Sequence, residues 1–539
     1  MRPGSRHVPG RTPAAERTVG AGPGGGARAA SRALVRVALP AVLLGLTSSC
    51  GLMGGPLVGP DYEQAPVEVA DEWIDFEDAR LKSEEAQLQT WWCVFDDPVL
   101  DGLMMQAGAE NLSLLAAAER VASARARRDL AVGFQYPQEQ GLSGTAGGYR
   151  VSEEDANFTQ APFDRTFTQG HIDAFATWEL DFWGRFRRAV ESADAELQAS
   201  VADHDDVMVL LYAELATRYI SYRTFQDRLR YLRLNESIQL GAYELTQARF
   251  DVGEVAERDI HQARQVLEET RSLIPGAELG MRLENNALCT LLGMAPRDLS
   301  DILGEAPIPS VPPTVAIGIP ADLLRRRPDV RRAERIAASR CALIGIAESD
   351  YYPRLSIAGS LGVSAEHWND ADNDGAQTSF LGANLSWSIL DWGRTASNVR
   401  FFEAEFRAAV LEYQQAVLDA GREAEDSLIS LIKTQERLAP QQAAADAAAR
   451  TVEIVQDQYA EGEVDFSDVF LFSSNLTEQQ DRLATTAGDA ALALVNVYRS
   501  LGGGWTPPPD PEPEDSREPQ PDAAAAPPSD PATDGDSTR

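Results

Sequence analysis

The chain is 539 residues long and sets 83 acidic against 48 basic side chains, a formal net charge of −35 at pH 7. A field of that sign disfavours nucleic acid as a partner, and the length is ample for a sizeable core. Once the N-terminal region is set aside, no apolar run approaches the roughly 20 residues that a transmembrane helix needs.

Residues 1–49 hold seven of the arginines and one glutamate, and Ala33–Leu46 is a short apolar run that ends in Thr47-Ser48-Ser49-Cys50. A basic n-region, a short apolar segment and small residues read as a secretory signal over 1–49. The cysteine directly after it predicts lipoprotein processing, with Cys50 as the acylated N-terminus. Thr47 stands where such signals usually carry Leu, and ordinary cleavage beside an incidental cysteine is the competing reading. Gly51 is not the Asp of inner-membrane retention, which points to outer-membrane delivery. An acyl chain anchors without spanning, so any spanning element has to come from elsewhere. Residues 50–90, rich in Pro, Gly and acids with no sustained period, read as a lipidated extended arm.

Past the arm, Trp91-Trp92, Phe95 and Asp97-Pro98 lead into Leu100, Leu103, Ala107, Leu114, Leu115 and Ala118. This spacing predicts one amphipathic helix running to about Val132. Tyr136-Pro137 stops it, because Pro pushes the residue before it out of the helical region. Two strand-like runs follow, Leu142–Tyr149 and Ile172–Leu180. After WELDFWGR (Trp178 to Arg185) the apolar positions Val190, Ala193, Leu197, Val201, Met208, Leu211, Leu215 and Tyr219 form a coiled-coil-like seam. No Pro interrupts Arg185–Phe250, which predicts a single helix about 100 Å long at ~1.5 Å per residue. Gly253 is its natural stop, and a second helix is expected from near Ala256 to about Leu292, with a break or kink at Pro275-Gly276.

The chain then repeats itself. WSILDWGR (Trp387 to Arg394) lies 209 residues after WELDFWGR, and the stretch around Gly462 matches that around Gly253 at the same offset, pairing Asp259 with Asp468. Two unrelated landmarks at one offset make a duplication, with copies over 91–306 and 321–505. A Pro-rich linker over 307–320 separates them, and an acidic, Pro-rich tail over 506–539 reads as disordered. In copy two the strands are Leu355–Val363 and Leu381–Ile389. Alternation in the second places Leu381, Leu385, Trp387 and Ile389 toward lipid, with Asn384, Ser386 and Ser388 toward water.

These lengths are near the 9–11 residues of a tilted membrane strand. Only closed barrels satisfy strand edges in lipid, and four strands per chain cannot close one. The barrel is therefore expected to be shared between subunits, with an even total of at least eight strands. Trp178, Trp183, Trp387 and Trp392 at the strand ends are expected as membrane-interface anchors, since indole rings prefer that level. A soluble hairpin packed on a helix is the alternative.

VGPDYEQAPVEVADEW (Val58 to Trp73), WWCVFDDPVLDGLMMQA (Trp91 to Ala107), LLRRRPDVRRAE (Leu323 to Glu334), DFWGR and LDWGR together resemble the TolC-like outer membrane factors, specifically the NodT/OprM lipoprotein branch of RND efflux systems. The resemblance covers essentially all of residues 50–505. It implies an α+β membrane protein: a homotrimer with a twelve-stranded outer-membrane β-barrel, four strands per chain, continued by a long α-helical periplasmic tunnel. The implied role is the passive exit duct of a tripartite efflux pump for drugs or other small toxic compounds. The implied partners are outer-membrane lipid, a periplasmic adaptor (membrane fusion protein) and an inner-membrane transporter of the RND type. In this family the hairpin tips close the periplasmic entrance. Tyr459 resembles the gate tyrosine, Asp259 its carboxylate partner and Asp468 the aspartate ring. Solvated acids at helix starts are the other reading of the two aspartates. Gly253, Val255, Gly462 and Val464 are expected on the surface that meets the adaptor.

No cofactor is expected beyond the covalent lipid on Cys50. Asp370–Gly375 copies the first half of an EF-hand loop, but Leu381 stands where the closing Glu belongs, so no metal is expected there. No HExxH, P-loop or nucleophile elbow is present, and the chain is not expected to be an enzyme. Cys93, Cys289 and Cys341 read as buried thiols, with one disulfide as the alternative in an oxidising compartment. The rival class is a periplasmic coiled-coil adaptor, which would share the hairpins but lack paired amphipathic strands and interfacial Trp.

Overall fold

The computed structural model describes residues 55–67, 69–70, 72–82, 88–152, 154, 164–316 and 326–506. The expected signal over 1–49, the lipidation site Cys50, residues 317–320 of the linker and the tail from residue 507 lie outside the described residues. The elements are β1 (Leu81–Lys82), α1 (Pro98–Glu110), α2 (Leu112–Gly133), β2 (Glu139–Arg150), β3 (Thr166–Glu179), α3 (Arg185–Asp251), α4 (Glu257–Leu291), α5 (Ser300–Leu303), β4 (Val315–Ala316), α6 (Pro328–Ser349), β5 (Arg354–Ala365), β6 (Gln377–Ser386), α7 (Arg394–Glu461) and α8 (Phe466–Ser500).

The duplication holds to the residue in the helices. The starts of α3 and α7, and both ends of α4 and α8, are 209 apart, while α2 and α6 are 22 residues each and 216 apart. The long helix expected to end at Phe250 is 67 residues, one residue longer. Of its expected seam, Leu211, Leu215 and Tyr219 are buried, Val190, Ala193, Leu197 and Met208 are half-buried and Val201 is exposed, while Ala195, Ala199 and Ala202 beside it are also buried; its stability comes from packing along its length and not from propensity alone.

Three expectations need correction. The helix expected from Leu100 to Val132 is two, because Asn111 leaves the helical region at ψ 121°. Its side-chain oxygen accepts from the backbone N–H groups of Ser113 and Leu114 at 2.9 and 3.0 Å, capping α2. Of the break or kink expected at Pro275-Gly276, the break is absent, and α4 runs through Pro275. The missing N–H costs one helical bond, while Ile274 and Ala277 pack on Leu229 and Leu232 and hold the turn in place. α7 likewise contains Pro440. The strand expected to reach Ile389 stops at Ser386, because its neighbour β5 begins opposite it at Arg354 and the ladder has no further partner in the chain.

The described residues of Met1–Val58, Phe134–Arg187 and Glu348–Trp392 form one compact unit. Its sheet is antiparallel in the order β2-β3-β5-β6, so β2 and β6 are its two edges. The other unit comprises Gly59–Gly133, Arg188–Ala347 and the chain from Gly393. Its largest core gathers Trp91, Leu100, Met104, Leu215, Tyr219, Leu288 and Leu494. Trp91 stacks on Tyr498 at 5.3 Å. The arm is threaded along this unit: Gln64 donates to the Tyr413 hydroxyl, Ile74 N–H to Glu425, and Arg80 to the Ile432 carbonyl. It ends in β1, which pairs parallel with β4 of the linker.

Charge is buried in the same unit. Arg327 donates to the Ser500 carbonyl at 2.8 Å and to Asp329 and Glu423 at 2.7 and 2.9 Å. Beside it, Asp206 is pushed up to about 6, first by burial and then by the Asp329 carboxylate, against the pull of Arg332 and Arg327. A raised carboxyl pKa means that the folded chain holds the proton more tightly than the unfolded one. This contribution is present at low pH and is lost as pH rises through about 6, above which a buried charge is a cost. Asp206→Asn is expected to raise the thermal midpoint at pH 7.5, by an amount equivalent to about 1–3 kcal/mol. The gain should vanish near pH 4, and calorimetry at the two pH values checks it.

Candidate functional site

The sheet has two unlike faces. Antiparallel register places Leu142, Ala174, Leu361 and Ser379 in one row and Ala176, Gly359 and Leu381 in the next, so Leu142, Ile172, Ile357, Leu361, Leu381 and Leu385 share a face. All six are exposed. The opposite face carries Ser143, His171, Asp173, Ser360 and Asn384. There Asp173 accepts from the Ser143 hydroxyl at 2.6 Å and lies 2.7 Å from His171 Nε2. Phe175 and Phe380 also lie on this face, with ring atoms 3.2 and 2.7 Å from where a Cβ on Gly141 and Gly382 would stand. An exposed apolar face this long is an interaction surface and not chance.

The joints between strand and helix are marked by the four tryptophans. Trp178 Nε1 donates to the Gln135 carbonyl at 3.1 Å, and Trp387 Nε1 to the Tyr351 carbonyl at 3.0 Å. Trp183 Nε1 donates to the Pro353 carbonyl at 2.9 Å, and its ring stacks on Tyr352 at 4.4 Å. Trp392 is 95% exposed. Gly184 and Gly393, at φ +80° and +82°, turn the chain into α3 and α7 at matching positions. The first joint is also capped: buried Asp181 accepts from the N–H groups of Phe186 and Arg187 at 3.0 Å, and Arg187 ties back to the Gly55 carbonyl at 2.9 Å. Leu390 and Ala396 hold the matching places in copy two.

The two hairpin tips have one geometry. Gly253 and Gly462 sit at φ +77° and +81°, and the next N–H reaches back five residues, Glu254 to the Arg249 carbonyl at 2.9 Å and Glu463 to Gln458 at 2.8 Å. That is the Schellman stop which glycine favours. Both glycines are exposed, and Val255 and Val464 beside them are half-buried.

The gate residues expected at the tips are placed as follows. Tyr459 is buried against Phe466, Val455, Val469 and Ala263, and its hydroxyl bonds Thr246 Oγ1 at 3.1 Å. Asp259 is buried and accepts from Arg258 Nε at 3.1 Å. No hydrogen bond joins Tyr459 to Asp259 among the described residues. Asp468 is exposed in the first turn of α8. One residue that sequence reasoning passed over binds the two tips together. Arg249, in the last turn of α3, donates from Nη1 to the Tyr459 carbonyl and stands 4.9 Å over the Tyr459 ring, a cation–π contact. Its Nε reaches Glu254 at 3.3 Å. The available signal was an asymmetry: copy two has Gln458 at the matching place.

The thiols of Cys289 and Cys341 are buried as expected, while Cys93 is exposed beside Asp101. Among the described residues no three His, Cys, Asp or Glu side chains are grouped to hold a metal.

The family description "Outer membrane efflux protein" matches residues 103–294 and 319–503, most of the chain. The chain belongs to the outer membrane efflux protein family. It is 27% identical over 458 residues to nodulation protein T of Rhizobium leguminosarum bv. trifolii, covering 85% of this chain and 96% of that protein. It is 27% identical over 469 residues to the pyoverdine export outer membrane protein OpmQ of Pseudomonas aeruginosa, covering 86% of this chain and 97% of that one. Among solved structures, the outer-membrane channel OprN is 31% identical with a TM-score of 0.78, covering 84% of this chain and all of that one. This outer membrane efflux protein therefore has the fold of a trimeric outer-membrane β-barrel with a long helical tunnel, to which each chain brings four strands and two long hairpins. It is a channel component of the outer membrane and not an enzyme.

Proposed function

We propose that three copies of this chain form the passive exit duct of a tripartite efflux pump. The observation that carries this reading is the four-stranded sheet with two open edges and one exposed apolar face. Three such sheets edge to edge make twelve strands, an even number that closes, with apolar rows toward lipid and the Ser143, His171 and Asp173 face toward a wet lumen. Trp178 and Trp387 then lie at the membrane interface, and Cys50 carries acyl chains that supplement the barrel as an anchor.

In this reading Tyr459, Asp259 and Asp468 form the periplasmic gate, and Gly253, Val255, Gly462 and Val464 present the tips to an adaptor protein. The adaptor connects the duct to an inner-membrane transporter of the RND type. The cargo class is small organic compounds, in keeping with relatives named for pyoverdine export and solvent efflux. Acidic side chains repeated by a threefold axis favour cations at the entrance.

Detergent-purified protein should run as a trimer, carry lipid on Cys50 by mass spectrometry, and produce discrete conductance steps in planar bilayers. A water-soluble, non-conducting monomer would overturn the reading.

A further inference from the structure

The internal repeat makes each contact between copies of the repeat a template for its counterpart. Two of the four joint tryptophans make the same bond inside their own repeats. Trp178 to Gln135 and Trp387 to Tyr351 are related by shifts of 209 on the tryptophan and 216 on the acceptor. A third contact links repeat one to repeat two: Trp183 donates to the Pro353 carbonyl and stacks on Tyr352 with planes 23° apart. The same two shifts applied to that contact lead from Trp183 to Trp392 and from Tyr352-Pro353 to Tyr136-Pro137.

Within one chain that fourth contact is not made. Trp392 is 95% exposed and Tyr136 60% exposed, and Trp392 has no hydrogen-bond partner among the described residues. Trp392 follows β6, and Tyr136-Pro137 precedes β2; these are the two edges of the sheet. A contact linking one edge to the other can be made only by a second copy. Trp392 also holds φ +57°, an uncommon backbone conformation for a bulky residue.

We propose that Trp392 is an intersubunit latch: its ring stacks on Tyr136 of the neighbouring copy, and its Nε1–H donates to the Pro137 carbonyl of that copy. The latch rests on the trimer reading above and adds a specific occupant to the exposed joint. It also changes the role of Trp392 from a lipid anchor to a protein contact, which explains why the equivalent Trp183 is already covered. Its second consequence is that Trp387-Ser388-Ile389, beyond the end of β6 in the single chain, becomes strand when the neighbour's β2 edge arrives, as β3 continues to Glu179 beside β5.

The test is the rate at which the purified trimer dissociates on heating in detergent, followed by size-exclusion chromatography. Trp392→Ala should dissociate about tenfold faster than wild type, from the loss of one ring pair and one hydrogen bond per interface, and Tyr136→Ala, which loses the ring pair and leaves the Pro137 carbonyl its donor, by a smaller factor. The double variant should be no faster than Trp392→Ala, because that substitution already removes everything Tyr136 contributes to the contact. Trp392→Phe, which keeps a ring and loses only the donor, should fall between. Leu390→Ala, which removes an exposed apolar side chain two residues away, should match wild type. A trimeric wild type with unaltered Trp392→Ala dissociation, or effects that multiply in the double variant, would overturn the latch alone. A wild type that is monomeric throughout would overturn the trimer reading together with the latch.

Discussion

Planar bilayers containing the Arg249→Ala chain are expected to show a resting conductance about tenfold or more above wild type, since each chain loses roughly 2 kcal/mol of charge-assisted hydrogen bonding and cation–π contact. The reason lies in how few groups join the two tips. α3 and α7 end beside each other, and Arg249 meets both the Tyr459 carbonyl and the face of its ring. Tyr459 in turn is held by Thr246 on α3, whose hydroxyl donates to the Ala242 carbonyl at 2.8 Å. Tyr459→Phe removes only the Thr246 bond and should have a smaller effect; Tyr459→Phe with Asp259→Ala should exceed Tyr459→Phe alone. The matching positions in the other repeat are Phe250 and Gln458, which supply neither the cation nor the hydroxyl. The Arg249–Tyr459 contact therefore exists once per chain, and the proposed threefold duct would have it at three of its six helix seams. Unchanged closed-state conductance in Arg249→Ala would remove these residues from the gate.

The largest stability loss is expected from Arg223→Met, about 3–5 kcal/mol by thermal or denaturant unfolding in detergent. Arg223 has no exposed surface. It donates to the Tyr219 hydroxyl at 2.9 and 3.0 Å, to the Leu303 carbonyl at 2.5 Å, and to the Gly304 carbonyl at 2.9 Å. The Tyr219 hydroxyl in turn donates to Asp97 at 2.6 Å, and Asp97 caps α1 through the N–H groups of Val99 and Leu100. A single guanidinium thus connects α3, the α5 turn and the start of α1. Met fills much of the volume but leaves the Leu303 carbonyl of a buried residue without this donor and the Tyr219 hydroxyl without its guanidinium, while the Gly304 carbonyl keeps Gln226 Nε2 at 2.9 Å. Arg223→Lys keeps the charge without the planar fork and should fall between the two. A loss below about 1 kcal/mol would mean that water or rearranged neighbours satisfy the site.

Much of the architecture is legible in the chain because it is written in local periods. The seam from Val190 to Tyr219 predicts a helix whose observed end lies one residue away, and Gly253 and Gly462 stop their helices where a left-handed residue is required. Strand alternation identifies the apolar row Leu381 and Leu385. The failures are equally local in cause. Asn111 interrupts a helix without disturbing its apolar phase, since a cap exchanges one set of backbone bonds for side-chain ones. Pro275 is tolerated because neighbouring side chains hold a turn that propensity alone would break.

The amino-acid sequence alone determined the duplication, the two strands and two long helices of each copy, and the family, since each is carried by short motifs and their spacing. Only the tertiary structure decided which residues do the joining. Arg249 and Tyr459 are 210 positions apart, Gln64 and Tyr413 349, and Trp183 and Pro353 170. No periodicity relates such pairs. Their meeting depends on how long helices align and on where an arm is threaded, and a shift of one helical turn would replace every one of those partners with another.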